Sequence, residues 1–204
     1  MSRNYAGLSR ERIIIEALHI IAGRGLGGLS MRRLGDALEV EAMAIYHHFP
    51  LGKEQLFNAI AAYVTSPAPT GAAFDDEDES DQVVEDTGET SEDLDTRPWD
   101  VRLTTWAEAY RERLLAYSGA LSLLAHRAPN TPNSGATRAL MHHAFGEAGL
   151  NGDDLVHAAD ALHSYCIGAV VHQVRHSGDE DAPDQEESAA RFTFGLRALL
   201  RGLV

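Results

Sequence analysis

The chain has 204 residues, 44% of them hydrophobic, with 17 basic and 31 acidic residues and a formal net charge of −14. This length and apolar content suffice to build a core, whereas no run reaches the roughly 18 to 20 apolar residues of a membrane span. The segment from Met1 to Gly7 lacks the apolar stretch of a secretory signal, and the lone Cys166 excludes an intramolecular disulfide and a multi-cysteine zinc site. We therefore expect a cytoplasmic protein without membrane contact.

The acidic residues are unevenly distributed along the chain. Before residue 65, seven basic residues stand against six acidic ones, and much of the acidic excess lies in the tracts 75–95 and 179–187. Because net charge governs solubility and association rather than fold, the whole molecule is expected to be repelled by DNA at long range. Any contact with DNA would have to come from one local surface.

The first 64 residues predict four short helices separated by tight turns. Ser9 and Ser30 are the expected N-caps of the first two helices. A third helix is expected over residues 41–49, and a fourth begins near Lys53 after a Pro-Leu-Gly break. The residues predicted to face the core are Ile13, Ile14, Ala17, Leu18, Ile21, Ala22, Met31, Leu34, Leu38, Leu56, Phe57, Ile60, Ala61 and Val64.

The remainder of the chain divides into an acidic segment and a second helical region. Residues 66–97 are rich in proline and acidic residues and poor in large apolar ones, which predicts a disordered linker. Helical periodicity resumes at Pro98, and the stripe predicted to be buried is Trp99, Leu103, Trp106, Tyr110 and Leu114. Further helices are predicted near 120–126, 134–148, 153–176 and 186–203. The sequence thus predicts an all-α protein with parts at 1–65, 66–97 and 98–204.

The second and third helices form a helix-turn-helix pattern. A short helix that begins with small residues, such as Ala42 and Ala44, can bring its backbone close to base edges in the major groove. Tyr46 and the histidines after it would lie at the rim of the groove, and Lys53 would lie where a phosphate passes. Short helices joined by a turn also occur in many bundles, so the pattern alone does not establish DNA binding.

The residues from Ser30 to Pro50, SMRRLGDALEVEAMAIYHHFP, followed by KEQLF from Lys53, resemble the DNA-binding signature of tetracycline-repressor-type regulators. The resemblance covers residues 9–64 and implies a three-helix DNA-binding domain joined to a larger helical domain for ligand binding and dimerisation. It assigns DNA contacts to Ser30, Arg32, Ala42, Met43, Ala44, Tyr46, His47, His48 and Lys53. Tyr46 has a second interpretation, as a buried core tyrosine.

Two positions depart from the family pattern. Glu39 stands where the family usually has glycine, which predicts either a left-handed residue or a different turn. The spacer from Pro50 to Gly52 is one residue longer than usual, and this bears on where Lys53 lies.

The C-terminal region is also similar to the tetracycline-repressor subclass, at residues 124–129 and 161–168. The resemblance implies that the helices at 153–176 and 186–203 pair with those of a second copy in a four-helix bundle. A homodimer also suits DNA recognition, because two recognition helices roughly 34 to 36 Å apart can specify a palindrome. We expect a repressor that a small molecule of unknown identity releases from its double-stranded operator.

Aromatic and aliphatic residues of the second region are candidates for an effector pocket, since such pockets are largely apolar with a few polar groups. The residues assigned to effector binding are Trp106, Tyr110, Tyr117, His126, Met141, Phe145, Tyr165 and Cys166. Ordinary core packing is the alternative for most of them.

The histidines raise the question of a metal. His126 falls near the position where tetracycline-binding relatives place a ligand-bound metal, and the pairs His163–Cys166 and His172–His176 have the spacing of ligands on one helix face. Local hydrogen bonding is the more common role of such histidines, so we predict neither a metal nor a cofactor.

Two other classes of function are less well supported. An enzyme is disfavoured because the sequence has neither a phosphate-binding glycine loop nor a nucleophile elbow. A helical small-molecule or metal-binding protein without DNA recognition leaves the first 64 residues unexplained.

Overall fold

The computed structural model describes residues 7–65, 95–127 and 135–204, although the side chains of 125–127 and 135–136 are outside the description. In these ranges the α-helices are α1 Arg10–Arg24, α2 Met31–Leu38, α3 Ala42–His48, α4 Lys53–Thr65, α5 Trp99–Ala116, α6 Leu121–Arg127, α7 Gly135–Glu147, α8 Gly152–His176 and α9 Gln185–Leu203. The described part of the chain contains no strand, so the all-α prediction is confirmed. None of its helices is long and apolar enough to cross a membrane.

The predicted helix starts in the N-terminal region are confirmed. The Oγ of Ser9 accepts a hydrogen bond from the backbone N of Arg12, and the Oγ of Ser30 accepts one from the backbone N of Arg33. These bonds satisfy amide groups that have no partner inside the helix. The predicted inner faces of α1, α2 and α4 are buried apart from half-buried Met31 and exposed Ala22.

Ala22 is therefore a correction to the predicted core. It lies in the last turn of α1, where the chain is about to leave the helix, and the backbone of Gly119 approaches it from the second helical region. A Cβ on Gly119 would lie 3.2 Å from the Cα of Ala22. The two helical regions therefore meet backbone to backbone at this point.

The second region is built around α5. As predicted, α5 buries Leu103, Trp106, Tyr110 and Leu114, while Trp99 at its start is only half-buried. This helix packs against α7, α8 and α9 and also against α4. A single helix thus touches both the helix that begins at Lys53 and the core of the second region.

Part of the predicted organisation lies outside the described residues. This holds for residues 66–94 of the acidic linker. The last linker residues are described, and there Arg97 forms an ion pair with Asp95, with 2.6 Å between Nη2 and Oδ2.

Candidate DNA-binding face and effector site

The turn between α2 and α3 is closed by two backbone hydrogen bonds. The N–H of Val40 donates to the carbonyl of Gly35 at 2.9 Å, and that of Glu39 donates to Asp36 at 3.4 Å. This pattern ends many helices and places one residue in the left-handed region. Here that residue is Glu39, with φ 58° and ψ 31°. Of the two predicted alternatives, the left-handed residue is the one observed.

Gly35 allows α2 and α3 to approach closely. A Cβ at this position would lie 2.9 Å from the carbonyl oxygen of Val40 and 3.3 Å from the backbone N of Ala42. Real Cβ atoms do not come this close to backbone atoms, so a larger residue would push the start of α3 away from α2. The angle at which α3 is presented therefore depends on this glycine.

Helix α3 presents one exposed face. Met43 is 65% exposed and Tyr46 is 38% exposed, and His47 beside them is also exposed. Positions i, i+3 and i+4 share a helix face, so these three side chains form a continuous surface, with half-buried Ala42 and His48 at its ends. Tyr46 is thus not a core tyrosine.

Ala44 faces the core and not this surface. It is 3% exposed and packs with Ile45 in the core. Its place one residue after Met43, a rotation of about 100° around the helix axis, turns it away from the exposed face. The assignment of Ala44 to base contact is therefore withdrawn.

The end of α3 is held by a residue that the sequence did not single out. Nη1 of Arg10 donates a 3.0 Å hydrogen bond to the carbonyl oxygen of His48, and its guanidinium carbon lies 4.8 Å from the centre of the Phe49 ring. A cation at a helix C-terminus is favourable because the last carbonyls lack partners. Arg10 stands 38 residues from His48, and no local sequence pattern reveals that pairing.

The remaining predicted DNA-contact residues flank α3. Arg32 is exposed, and Ser30 is exposed although its Oγ caps α2. Lys53 is the first residue of α4, and its Nζ lies 5.0 Å from the centre of the Phe57 ring. The longer spacer is accommodated by Gly52, which has φ 69°.

The eight predicted effector residues do not form one lining. Those buried in the core are Trp106, Tyr110, Met141, Phe145 and Cys166. The hydroxyl of Tyr165 donates to the carbonyl of Phe192 on α9 at 2.6 Å, and Tyr117 packs on Tyr63 of α4 with ring centres 5.9 Å apart. The side chain of His126 is outside the described residues.

Two of the buried residues meet a histidine that was not assigned to effector binding. The ring centres of Trp106 and Tyr110 on α5 lie 4.9 Å and 5.7 Å from that of His163 on α8. We call Trp106, Tyr110 and His163 the α5–α8 aromatic cluster. Burial lowers the pKa of His163 and raises that of Tyr110, so both side chains are uncharged near neutral pH.

A cavity of about 660 Å³ opens between the end of α8 and the start of α9. Its apolar floor includes Leu115, Ala169 and Phe192, and its rim carries acidic residues of the loop 177–184. Tyr165 is the one described effector candidate that lines it. The other buried candidates face the interior of the bundle instead.

The histidine pairs considered as metal ligands have other partners. Nδ1 of His163 lies 3.0 Å from the carbonyl of Ala159, and Cys166 is buried, which raises the pKa of its thiol to about 12. His172 and His176 stack with ring centres 4.5 Å apart, and His176 bonds to Asp179. Among the described residues there is no group of three or more His, Cys, Asp or Glu side chains placed to hold a metal ion.

The fold and the exposed face of α3 together define a helix-turn-helix regulator with a second helical domain. Residues 13–60 match the family model described as bacterial regulatory proteins, tetR family. Residues 92–189 match the model described as tetracyclin repressor-like, C-terminal domain. The chain belongs to the tetR family of bacterial regulatory proteins.

Individual relatives extend the similarity over nearly the whole chain. The class C tetracycline repressor of Escherichia coli is 27% identical over 95% of this chain and 80% of its own length. BioQ of Mycobacterium smegmatis has a similar fold, with a TM-score of 0.69, 23% identity, and coverage of 96% of this chain and 98% of BioQ. One BioQ structure contains its double-stranded DNA operator. ActR of Streptomyces coelicolor in complex with actinorhodin has a TM-score of 0.68, 20% identity and 97% coverage of both chains.

Proposed function

We propose that the protein is a transcriptional repressor that binds a palindromic operator as a homodimer and leaves it when a small molecule binds the second helical domain. The observation that carries the proposal is the exposed face of α3, where Met43, Tyr46 and His47 share one side of a recognition helix. Family membership supports the same function. The proposed division is 1–65 for DNA binding, 66–97 as linker and 98–204 for effector binding and dimerisation.

Each residue of the face has a proposed role at the DNA. Met43 and Ala42 would contact base edges in the major groove, where a short helix with small or flexible side chains fits. Tyr46, His48 and Lys53 would contact phosphates, and His47 would reach the backbone or a thymine methyl group. Ser30 and Arg32 would add contacts from the start of α2.

The proposed dimer contact lies on α8 and α9. Phe194 on α9 is 78% exposed and Val156 on α8 is 55% exposed, and the exposed residues Ala190 and Ala198 lie one turn to either side of Phe194. Phe194 and the two alanines form an apolar strip along one side of α9, and we assign this strip to the contact with the second copy. Two copies paired here would form a four-helix bundle and carry two recognition helices.

Release by a small molecule requires two arrangements of the dimer, one in which the spacing of the recognition helices fits the operator and one in which it does not. The effector must bind the second arrangement more tightly than the first. This binding needs no covalent chemistry, so we assign no catalytic residue. Because the proposed operator is bacterial DNA, which lies in the cytoplasm, we place the protein there. The proposal names no metal or cofactor.

Selection of bound duplexes from a random DNA library tests the proposal, in buffer of stated ionic strength. We expect a palindrome whose half-sites are about one helical turn apart. Met43→Lys should abolish or alter the selected sequence, whereas Ala139→Ser, on an exposed position of α7, should leave it unchanged. No enriched sequence from folded dimer would contradict the proposal.

A further inference from the structure

Three buried polar atoms of the α5–α8 aromatic cluster have no hydrogen-bond partner among the described residues. They are Nε1 of Trp106, the hydroxyl of Tyr110 and Nε2 of His163. Trp106 is 7% exposed and Tyr110 is fully buried, and their ring centres lie 4.9 Å apart. Buried polar groups are nearly always hydrogen-bonded in native proteins. Three such atoms on touching rings therefore mark a place in the described core where the polar groups of a ligand would find partners.

The tautomer of His163 decides which kind of partner it needs. Its Nδ1 lies 3.0 Å from the carbonyl oxygen of Ala159, and a carbonyl oxygen only accepts, so Nδ1 carries the hydrogen. In the neutral ring Nε2 is then an acceptor. The indole Nε1 of Trp106 only donates, and the hydroxyl of Tyr110 does either. The cluster thus offers one acceptor, one donor and one group that can serve as both.

The buried cations of α5 do not offer their charge to the cluster. The guanidinium of Arg102 is paired with Glu147. That of Arg111 has no carboxylate partner, but it donates to Gln173 at 2.9 Å, and Gln173 lies ten residues beyond His163, or about 15 Å along α8. Burial also keeps the thiol of Cys166 protonated, with a pKa raised to about 12. A charged ligand would lose its hydration here without gaining an opposite charge.

We propose that the α5–α8 aromatic cluster anchors the effector, and that this effector is an uncharged ring compound with an O–H or N–H group. That group donates to Nε2 of His163, and its own oxygen, or an oxygen or nitrogen beside it, accepts from Nε1 of Trp106. The faces and edges of the three rings suit a flat ligand. The term effector rests on the proposed function, whereas the binding chemistry does not.

Equilibrium dialysis of the full-length protein without DNA tests this chemistry with three related probes. The compound 2-naphthol has the donor, 2-methoxynaphthalene lacks it, and 2-naphthoate is an anion. We expect 2-naphthol to bind at least roughly tenfold more tightly than the other two, because a buried acceptor left without a donor is unfavourable. Equal binding of the three probes, tighter binding of naphthoate, or no binding of any would overturn the proposal.

Two variants and a control show which side chains cause the preference for 2-naphthol over 2-methoxynaphthalene. His163→Phe should bind 2-naphthol and 2-methoxynaphthalene equally, and Trp106→Phe should weaken both. Thr105→Val removes a hydroxyl from α5, but one that is exposed and already donates to the carbonyl of Val101, so the preference should persist. If His163→Phe still binds 2-naphthol more tightly than 2-methoxynaphthalene, the proposal is overturned.

Nitrogen-15 spectra of the parent protein avoid any question of folding in the variants. Saturation with 2-naphthol should shift the Nε2 resonance of His163 and leave that of His19 on α1 in place. An unmoved Nε2 resonance would overturn the proposal. Selection of operator DNA is independent of these measurements, so failure to select an operator with the naphthol preference intact would refute the proposed function and not the ligand chemistry.

Discussion

Nε of Arg113 on α5 donates a 2.9 Å hydrogen bond to the carbonyl oxygen of Tyr63 in the last turn of α4. The guanidinium carbon also lies 4.4 Å from the centre of the Tyr63 ring and 5.8 Å from that of Tyr117. Carbonyls in the last turn of a helix lack partners inside the helix, and a cation there is favourable. Arg113 follows Tyr110 by one turn of α5, so this contact connects the aromatic cluster with the helix that begins at Lys53.

Replacing Arg113 should affect both stability and DNA binding. Arg113→Met retains the length of the side chain and removes its donors, and we expect a loss of about 1 kcal/mol in the free energy of unfolding for this half-buried group. Operator affinity should change although Arg113 lies far from α3. Urea titration and operator titration measure the two effects. Arg138→Met, at an exposed position of α7, is the matched control, and equal behaviour of the two variants would contradict the expectation.

Glu39 should be replaceable by glycine with a gain in stability. Its left-handed conformation, φ 58°, costs roughly 1 to 2 kcal/mol for a residue with a Cβ. Glu39→Gly removes this cost, but only part of it appears as stability because glycine has more conformational freedom in the unfolded chain. We expect an increase of about 0.5 to 1 kcal/mol, measured by chemical denaturation. Glu39→Ala keeps the Cβ and should show no such increase.

Gly52 should tolerate no side chain. Its φ is 69°, and a Cβ would lie 3.2 Å from Cε1 of Tyr46, so Gly52→Ala would strain the turn and displace the tyrosine ring. We expect a loss of roughly 1 to 2 kcal/mol in stability together with weaker operator binding. The control is Gly23→Ala, where a Cβ would meet nothing within 4 Å. Unchanged operator affinity in Gly52→Ala would argue against a role for Tyr46 at the DNA.

Lys53 should contribute to the salt dependence of operator binding. Each phosphate contact adds about 0.9 to the slope of log affinity against log salt concentration, so Lys53→Gln should reduce the slope by about 1.8 in a dimer. Titrations at several salt concentrations measure it. Arg138→Gln, at an exposed position of α7, should leave the slope unchanged. An unchanged slope in Lys53→Gln would mean that the ammonium stays over Phe57.

His163 should make the protein less stable in mild acid. Burial lowers its pKa from 6.5 in the folded state, so near and below that pH the unfolded chain binds more protons than the folded protein. Stability then rises with pH and falls as the pH drops below about 6.5. His163→Phe should lose less stability between neutral and mildly acidic pH in thermal unfolding. Asp160 acts in the opposite direction on His163, and Asp160→Asn should steepen the loss.

The local features of this protein follow from its sequence. The caps at Ser9 and Ser30 and the buried stripe of α5 depend on neighbours within a few positions, and short-range patterns report such neighbours directly. The conformation of Glu39 and the exposed face of α3 were predicted only in part, because the sequence left a different turn and a buried Tyr46 open and placed Ala44 on the face.

Only the tertiary structure decided which distant residues meet. It buried Ala44, joined Arg10 to His48 across 38 positions and Arg113 to Tyr63 across 50, and brought His163 beside Trp106 and Tyr110 while leaving Tyr117 and Tyr165 elsewhere. Helical periodicity states which side of a helix is apolar, but not which helix packs against it or at what height. That choice is made by the close packing of all helices at once, and it is where the candidate effector site arises.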